Sequence, residues 1–101
     1  MKYRQQGDVL IKETKLIPAG AKKLTHLTLA RGEHTNNHHT ITQGDAELYE
    51  HEGTLFLRVN SDEATLTHQE HGAVVIPQGE YEIGIVREFD HFSEESKRVQ
   101  D

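Results

Sequence analysis

Side chains that alternate between apolar and polar with a period of two are the feature that most constrains this chain. The alternation is clear from 80 to 90 and from 54 to 60, where Leu55, Leu57 and Val59 share one side. A period of two places successive side chains on opposite faces of a β-strand. Because no window of the sequence shows a helical period, we predict an all-β protein.

Turn signals divide the rest of the chain into further short segments. The predicted turns are Pro18-Ala19-Gly20, Gly44-Asp45, His51-Glu52-Gly53, Ser61-Asp62-Glu63 and Pro77-Gln78-Gly79. The other predicted strands are 7–12, 24–30, 41–42, 46–50, 64–68 and 72–76. Short strands at a spacing of roughly 8–12 residues are typical of a small antiparallel β-barrel or sandwich.

The chain has 101 residues, which is the length of one domain. We assign residues 1–92 to a single β domain and residues 93–101 to a polar C-terminal tail. Only 34% of the residues are apolar, so the predicted core is thin. Small cores commonly gain stability from oligomerisation or from a metal, and we therefore expect a homo-oligomer.

The net charge of −6, from 17 acidic and 11 basic residues, disfavours nucleic-acid binding, which requires a basic patch. No apolar run approaches the roughly 20 residues that cross a bilayer. The N-terminus also lacks the apolar segment of a signal peptide, so we expect a cytoplasmic protein with no membrane partner. The absence of cysteine excludes a thiol nucleophile and thiolate metal ligands.

Eight histidines are the outstanding feature of the composition, and most of them fall at two loci, 34–39 and 68–71. The stretch 31–40 has almost no apolar content, so its histidines face either solvent or a ligand. Outside these loci, His26 suits a polar sheet face, His51 suits a hairpin end, and His91 belongs to the C-terminal end. The two loci are therefore the candidates for a site.

The second locus contains His68, Glu70 and His71. His68 continues the apolar side of the strand 64–68, which places it toward the core. Residues three apart on a straight strand point to opposite faces, so His71 joins His68 only if the chain bends, and Gly72 favours such a bend. Glu70 is a candidate third ligand, an orienting group or a general base, and we name it as the candidate catalytic residue.

The first locus supplies a third imidazole. His38 and His39 are adjacent, so only one of them faces inward, and we favour His39 because Ile41 is two residues later. We predict a divalent metal site made by His39, His68 and His71, with zinc, iron, nickel and manganese all open. Such a metal would lower the pKa of a bound water or offer an open position to oxygen or to a small-molecule ligand.

Two segments carry a resemblance to the cupins, which are double-stranded β-helices or jelly rolls. Gly32 and His39 occupy the places of a glycine and a histidine in the first cupin motif. The segment 72–79 is similar to the second motif, which has a glycine, apolar residues and P-x-G. The resemblance implies a jelly roll, which we prefer among the barrel and sandwich forms. Glu82, however, stands where the second motif has its histidine.

The chain is also similar to small uncharacterised bacterial or phage proteins that open with Q-x-G-D-V-L and carry a G-E-x-T loop with histidines. No activity accompanies that similarity. It keeps a second hypothesis open, namely a non-enzymatic module, related to phage, that self-assembles or docks on a partner. The histidines would then be incidental or would sense pH, and whether the protein is an enzyme is open.

Overall fold

The computed structural model describes residues 3–31 and 38–85 as an all-β protein, in which every strand pair is antiparallel. No helix long enough and apolar enough to cross a membrane occurs in these two ranges. The strands are β1 Tyr3–Gln6, β2 Val9–Glu13, β3 Lys22–Lys23, β4 Thr28–Arg31, β5 His38–Gln43, β6 Ala46–His51, β7 Thr54–Thr67 and β8 Val74–Ile85.

The strand order along the sheet is β1-β2-β8-β7-β5-β4, with β6 added to β7 and β3 added to β6. The prediction of a small antiparallel all-β fold is confirmed. The sheet is not a closed barrel, since β1 and β4 end the described path without pairing with each other. The jelly-roll form and the cupin resemblance stay predictions.

The long strand β7 holds the sheet together because it changes partner along its length. Its first half pairs with β6 and its second half with β5, while β8 lies along its other edge. The predicted turn at 61–63 is wrong, because the strand continues there through a bulge between Val59 and Glu63. The carbonyl of Asp45 accepts hydrogen bonds from the N–H groups of Asn60 and Ser61 at 2.8 and 3.3 Å, so the bulged backbone is satisfied.

The predicted turn at Pro77-Gln78-Gly79 is also wrong, because β8 runs through it and pairs opposite the bulge of β7. The Gln78 amide donates to the carbonyl of Asn60 at 2.8 Å, and the Tyr81 hydroxyl donates to the carbonyl of Pro77 at 2.7 Å. The first contact joins the segment to β7, and the second lies within β8, so the chain continues here and does not reverse.

Boundaries near the N-terminus differ from the prediction as well. Gly7 and Asp8 form the turn between β1 and β2. The predicted strand 7–12 therefore corresponds to β2, which begins two residues later than predicted, and β1 was not predicted. Of the predicted strand 24–30, only the last residues form a strand, as part of β4. The predicted strand 41–42 is longer than expected, because β5 begins at His38 and includes both histidines.

Alternate residues of the strands form one apolar core. Gln6 and His39 are the buried polar residues of the described ranges. Residues 32–37 and 86–101, with His34, His91 and the predicted tail, lie outside the described residues. The core residues are Val9, Ile11, Leu29, Ile41, Leu48, Leu57, Val59, Ala64, Leu66, Ile76, Tyr81 and Ile83.

Candidate functional site

Three segments of the fold converge on a cluster of histidine rings. They are the turn between β1 and β2, the start of β5, and the segment between β7 and β8. The ring centroids of His39 and His68 are 4.2 Å apart, those of His68 and His71 4.6 Å, and those of His39 and His71 6.1 Å. The structure thus brings together all three histidines that the sequence singles out, and we call them the histidine cluster.

His39 is the fixed member of the cluster. It is the second residue of β5 and only 5% exposed, and it shares the inward face with Ile41 as the alternation predicts. His38, its neighbour, uses its backbone N–H to bind the side-chain oxygen of Gln69 at 2.8 Å. This contact ties the start of β5 to the segment that carries the other two rings.

His68 and His71 meet because the chain bends after β7 ends at Thr67. The Glu70 backbone N–H donates to Nδ1 of His68 at 3.0 Å, which closes the bend locally. The side chain of Glu70 is exposed. Its backbone therefore shapes the cluster, and a catalytic role for its carboxylate stays a prediction.

Gly7 makes room for the rings. A Cβ atom at this position would lie 2.7 Å from Nε2 of His71 and 3.3 Å from Cε1 of His39. The residue also has a φ of +58°, in the left-handed region that glycine tolerates best. The turn between β1 and β2 thus packs its backbone directly against the cluster.

Gln6 and Asp8, which flank Gly7, are part of the site and were missed in the sequence. Oε1 of Gln6 lies 2.9 Å from Nδ1 of His39, and Oδ1 of Asp8 lies 3.6 Å from Nε2 of the same ring. The Q-x-G-D-V-L opening specifies Asp8, whereas Gln6 stands at its variable position, and the motif carries no known activity. The alternation alone could not show that this turn reaches the histidines.

The surroundings of His39 favour its neutral form. Burial lowers the pKa of His39 below its usual value, and the nearby His68 and His71 lower it further, whereas Asp8 acts in the opposite direction. Burial penalises the charged imidazolium, and like charges add to that penalty. A neutral imidazole is the form that binds metals.

The rings are packed against one another instead of pointing at one centre. The planes of His39 and His71 are within 14° of parallel, and His68 is tilted by 33° and 38° to them. In residues 3–31 and 38–85, no group of three or more His, Cys, Asp or Glu side chains is arranged to hold a metal ion. Three-ligand binding therefore requires ring rotation.

A second polar group lies on one face of β6, β7 and β8. Arg58 donates to the carboxylate of Glu80 at 3.0 Å and to the hydroxyl of Tyr49 at 3.3 Å. Tyr49 in turn donates to Glu47 at 2.7 Å, and this hydrogen bond is the main reason that the pKa of Glu47 is lowered. These side chains satisfy one another and are cross-strand contacts of the sheet.

These features define a small antiparallel β protein with a partly buried histidine cluster where three of its segments meet. Residues 5–86 match a family described as a domain of unknown function (DUF8820), and the chain belongs to that family. The matched range includes every member of the cluster together with Gln6, Gly7 and Asp8. No curated protein and no solved structure matches the chain.

Proposed function

We propose that the histidine cluster binds one divalent metal ion, with His39, His68 and His71 as ligands. The observation that carries the proposal is the approach of three imidazole rings from two segments far apart in the sequence. One of them, His39, is buried, and burial lowers its pKa. Imidazole nitrogen is a common ligand of zinc, iron and nickel. Manganese remains in the set if carboxylates join the site.

Asp8 is the fourth proposed ligand. Two ligands at about 2.1 Å from a tetrahedral ion lie ~3.4 Å apart. Nε2 of His39 and Oδ1 of Asp8 are separated by 3.6 Å, close to that spacing. This pair could therefore receive an ion with little movement, and the two remaining rings would rotate toward it.

Ligation by His68 must break its contact with Glu70. A neutral imidazole has one nitrogen lone pair, and in His68 that lone pair accepts the Glu70 N–H at 3.0 Å. Binding through Nδ1 would use this lone pair directly, and binding through Nε2 would place the proton on Nδ1. In either case the Glu70 amide loses its acceptor, so this amide reports on metal binding.

Elemental analysis of protein purified without a histidine tag tests the proposal. We expect about one equivalent of metal per chain in the wild type, and strong loss of it in a His68→Ala/His71→Ala double variant. The matched control is His26→Ala/His51→Ala, which removes two histidines outside the cluster. Metal content near zero in the wild type, or equal content in the two double variants, would overturn the proposal.

Hydrogen exchange of the Glu70 amide gives an independent test. We expect faster exchange, or a large shift of this amide signal, when zinc is added to the chelator-treated protein. An unchanged Glu70 amide at full zinc occupancy would show that His68 is not a ligand.

A bound metal would give the site a chemical role. Three or four protein ligands leave a position for water or a small molecule, and the metal would lower the pKa of a bound water. Because Glu70 is exposed on the bend beside His68 and His71, its carboxylate is the proposed general base. Glu70→Gln would then reduce turnover without removing the metal.

A second candidate function is self-assembly through β1. This strand pairs only with β2 in the described sheet, and its first residue, Tyr3, is 62% exposed. Unpaired edges with exposed apolar side chains are the usual place where strands of two copies meet.

The molecular mass from light scattering, measured at pH 7.5 and 5.5, tests this candidate. We expect an oligomer that Tyr3→Asp dissociates. The control Leu16→Asp, at another exposed position, should leave the oligomer intact. A monomer at both pH values would reject this candidate.

A further inference from the structure

We infer that Gln6 is a positioning residue that fixes the tautomer of His39, so that the Nε2 lone pair of this ring is available beside Asp8. The inference concerns the metal-free protein. Its consequence for metal affinity rests on the proposed function.

The amide of Gln6 has only one acceptable orientation. Gln6 ends β1 and is 2% exposed, and its Nε2 lies 2.9 Å from the carbonyl oxygen of Leu66 and 2.9 Å from that of Gly72. A primary amide nitrogen has two hydrogens, and each carbonyl accepts one of them. The reversed amide would place an oxygen against two carbonyl oxygens, so the NH₂ group must face them.

The orientation of this amide then determines the proton on His39. The remaining group, Oε1, is an acceptor only, and it lies 2.9 Å from Nδ1 of His39. Nδ1 must therefore carry the hydrogen. Because a neutral imidazole has one N–H, Nε2 has the lone pair, and this is the atom that lies 3.6 Å from Asp8.

This tautomer suits cation binding. A lone pair and a carboxylate that face each other have no hydrogen to share, whereas a cation between them would interact with both. Hydrogen bonds from a ligand's other nitrogen to a neighbouring oxygen typically set the tautomer and ring orientation of metal-binding histidines. Gln6 also joins the end of β7 to Gly72 and so fixes both ends of the segment that carries His68 and His71.

Nitrogen NMR of the chelator-treated wild type at pH 7.5 tests the inference without any metal. We expect His39 to show a protonated Nδ1 and an unprotonated Nε2. The reverse assignment would overturn the inference even if the protein binds metal. Because this spectrum needs no variant, the result does not depend on how a substitution folds.

Substitution of Gln6 gives the second test. In Gln6→Leu we expect His39 to move toward the Nε2–H tautomer, and zinc affinity to fall by about 10–100-fold. The control is Gln43→Leu, which alters an exposed glutamine at the other end of β5 from His39. Gln43→Leu should keep the wild-type tautomer and affinity. A folded Gln6→Leu with the wild-type tautomer would contradict the inference, whereas a wild type with the expected tautomer and no metal would contradict only the proposed function.

Discussion

Gly7 contributes to the histidine cluster through the absence of a side chain. We predict that Gly7→Ala displaces the His71 ring, because the new Cβ would lie 2.7 Å from its Nε2. The left-handed backbone adds about 1–2 kcal/mol of strain to the folded state. The matched control is Gly53→Ala, which has a φ of +85° but no neighbouring atom within 4 Å of the new Cβ. Zinc titration should show lost affinity in Gly7→Ala alone, and equal affinity in both variants would contradict the prediction. Urea denaturation of both variants should show the loss of folding stability that the backbone strain causes.

The lowered pKa of His39 predicts a pH dependence of stability. The unfolded chain, in which the histidine pKa is about 6.5, binds more protons than the folded state between the two pKa values. The free energy of unfolding should therefore fall as the pH is lowered through that window. Thermal unfolding of chelator-treated protein should show a lower Tm at pH 5.5 than at pH 7.5.

Substitution of His39 isolates its contribution to the pH dependence of stability. His39→Gln cannot titrate, so its Tm should change less between the two pH values, whereas exposed His26→Gln should behave as the wild type. His68, His71 and Asp8 face His39 and remain in both variants. An unchanged pH dependence in His39→Gln would contradict the prediction.

At the residue scale, the sequence predicts the histidines of the cluster but not their partners. Period two places His39 with Ile41 and His68 with Leu66, and the condition that His71 needs a bend is met. Gln6 was missed because a buried glutamine in a polar N-terminal segment has no periodic signature. Its burial depends on carbonyls 60 and 66 residues away, at Leu66 and Gly72.

At the scale of elements, the sequence predicts where strands exist better than where they end. Ser61-Asp62-Glu63 and Pro77-Gln78-Gly79 have turn composition, yet they lie opposite each other in one continuous strand pair. Their polar groups are used by tertiary hydrogen bonds, from Asn60 and Ser61 to Asp45 and from Gln78 to Asn60. Local turn propensity cannot reveal such partners.

Gly44 packs against the bulged part of β7, and we predict that substitution of this glycine destabilises the fold. In Gly44→Ala, the added Cβ would lie 2.6 Å from the carbonyl oxygen of Glu63 and 2.7 Å from Cα of Ala64. Backbone atoms cannot move aside as a side chain does, and overpacking costs about 1–3 kcal/mol beyond the strain at its φ of +96°. Urea denaturation should show a larger loss in Gly44→Ala than in Gly53→Ala. Equal losses of stability in the two variants would contradict the prediction and show that the backbone of the bulge moves to accommodate the methyl group.

At the scale of the whole molecule, the proposed metal should stabilise the fold. Its ligands come from the β1–β2 turn, from β5 and from the segment after β7, so unfolding separates them. Zinc at about 100 times its Kd should add about 2.7 kcal/mol to the free energy of unfolding. The wild-type Tm should rise with zinc and fall with chelator, whereas the His68→Ala/His71→Ala variant should show neither change. A zinc response retained by this variant would contradict the prediction.

The contacts of Gln6 also bear on the order of events during folding. This side chain joins the first strand to the carbonyls of Leu66 and Gly72, with His39 between them in the sequence. Contacts between such distant residues form only after long loops have closed. The site therefore cannot be assembled by an N-terminal fragment or by a single hairpin. We expect uptake of the proposed metal during refolding to follow the pairing of β1 with β2 and of β2 with β8. The ion would then stabilise the completed fold and would not direct its formation.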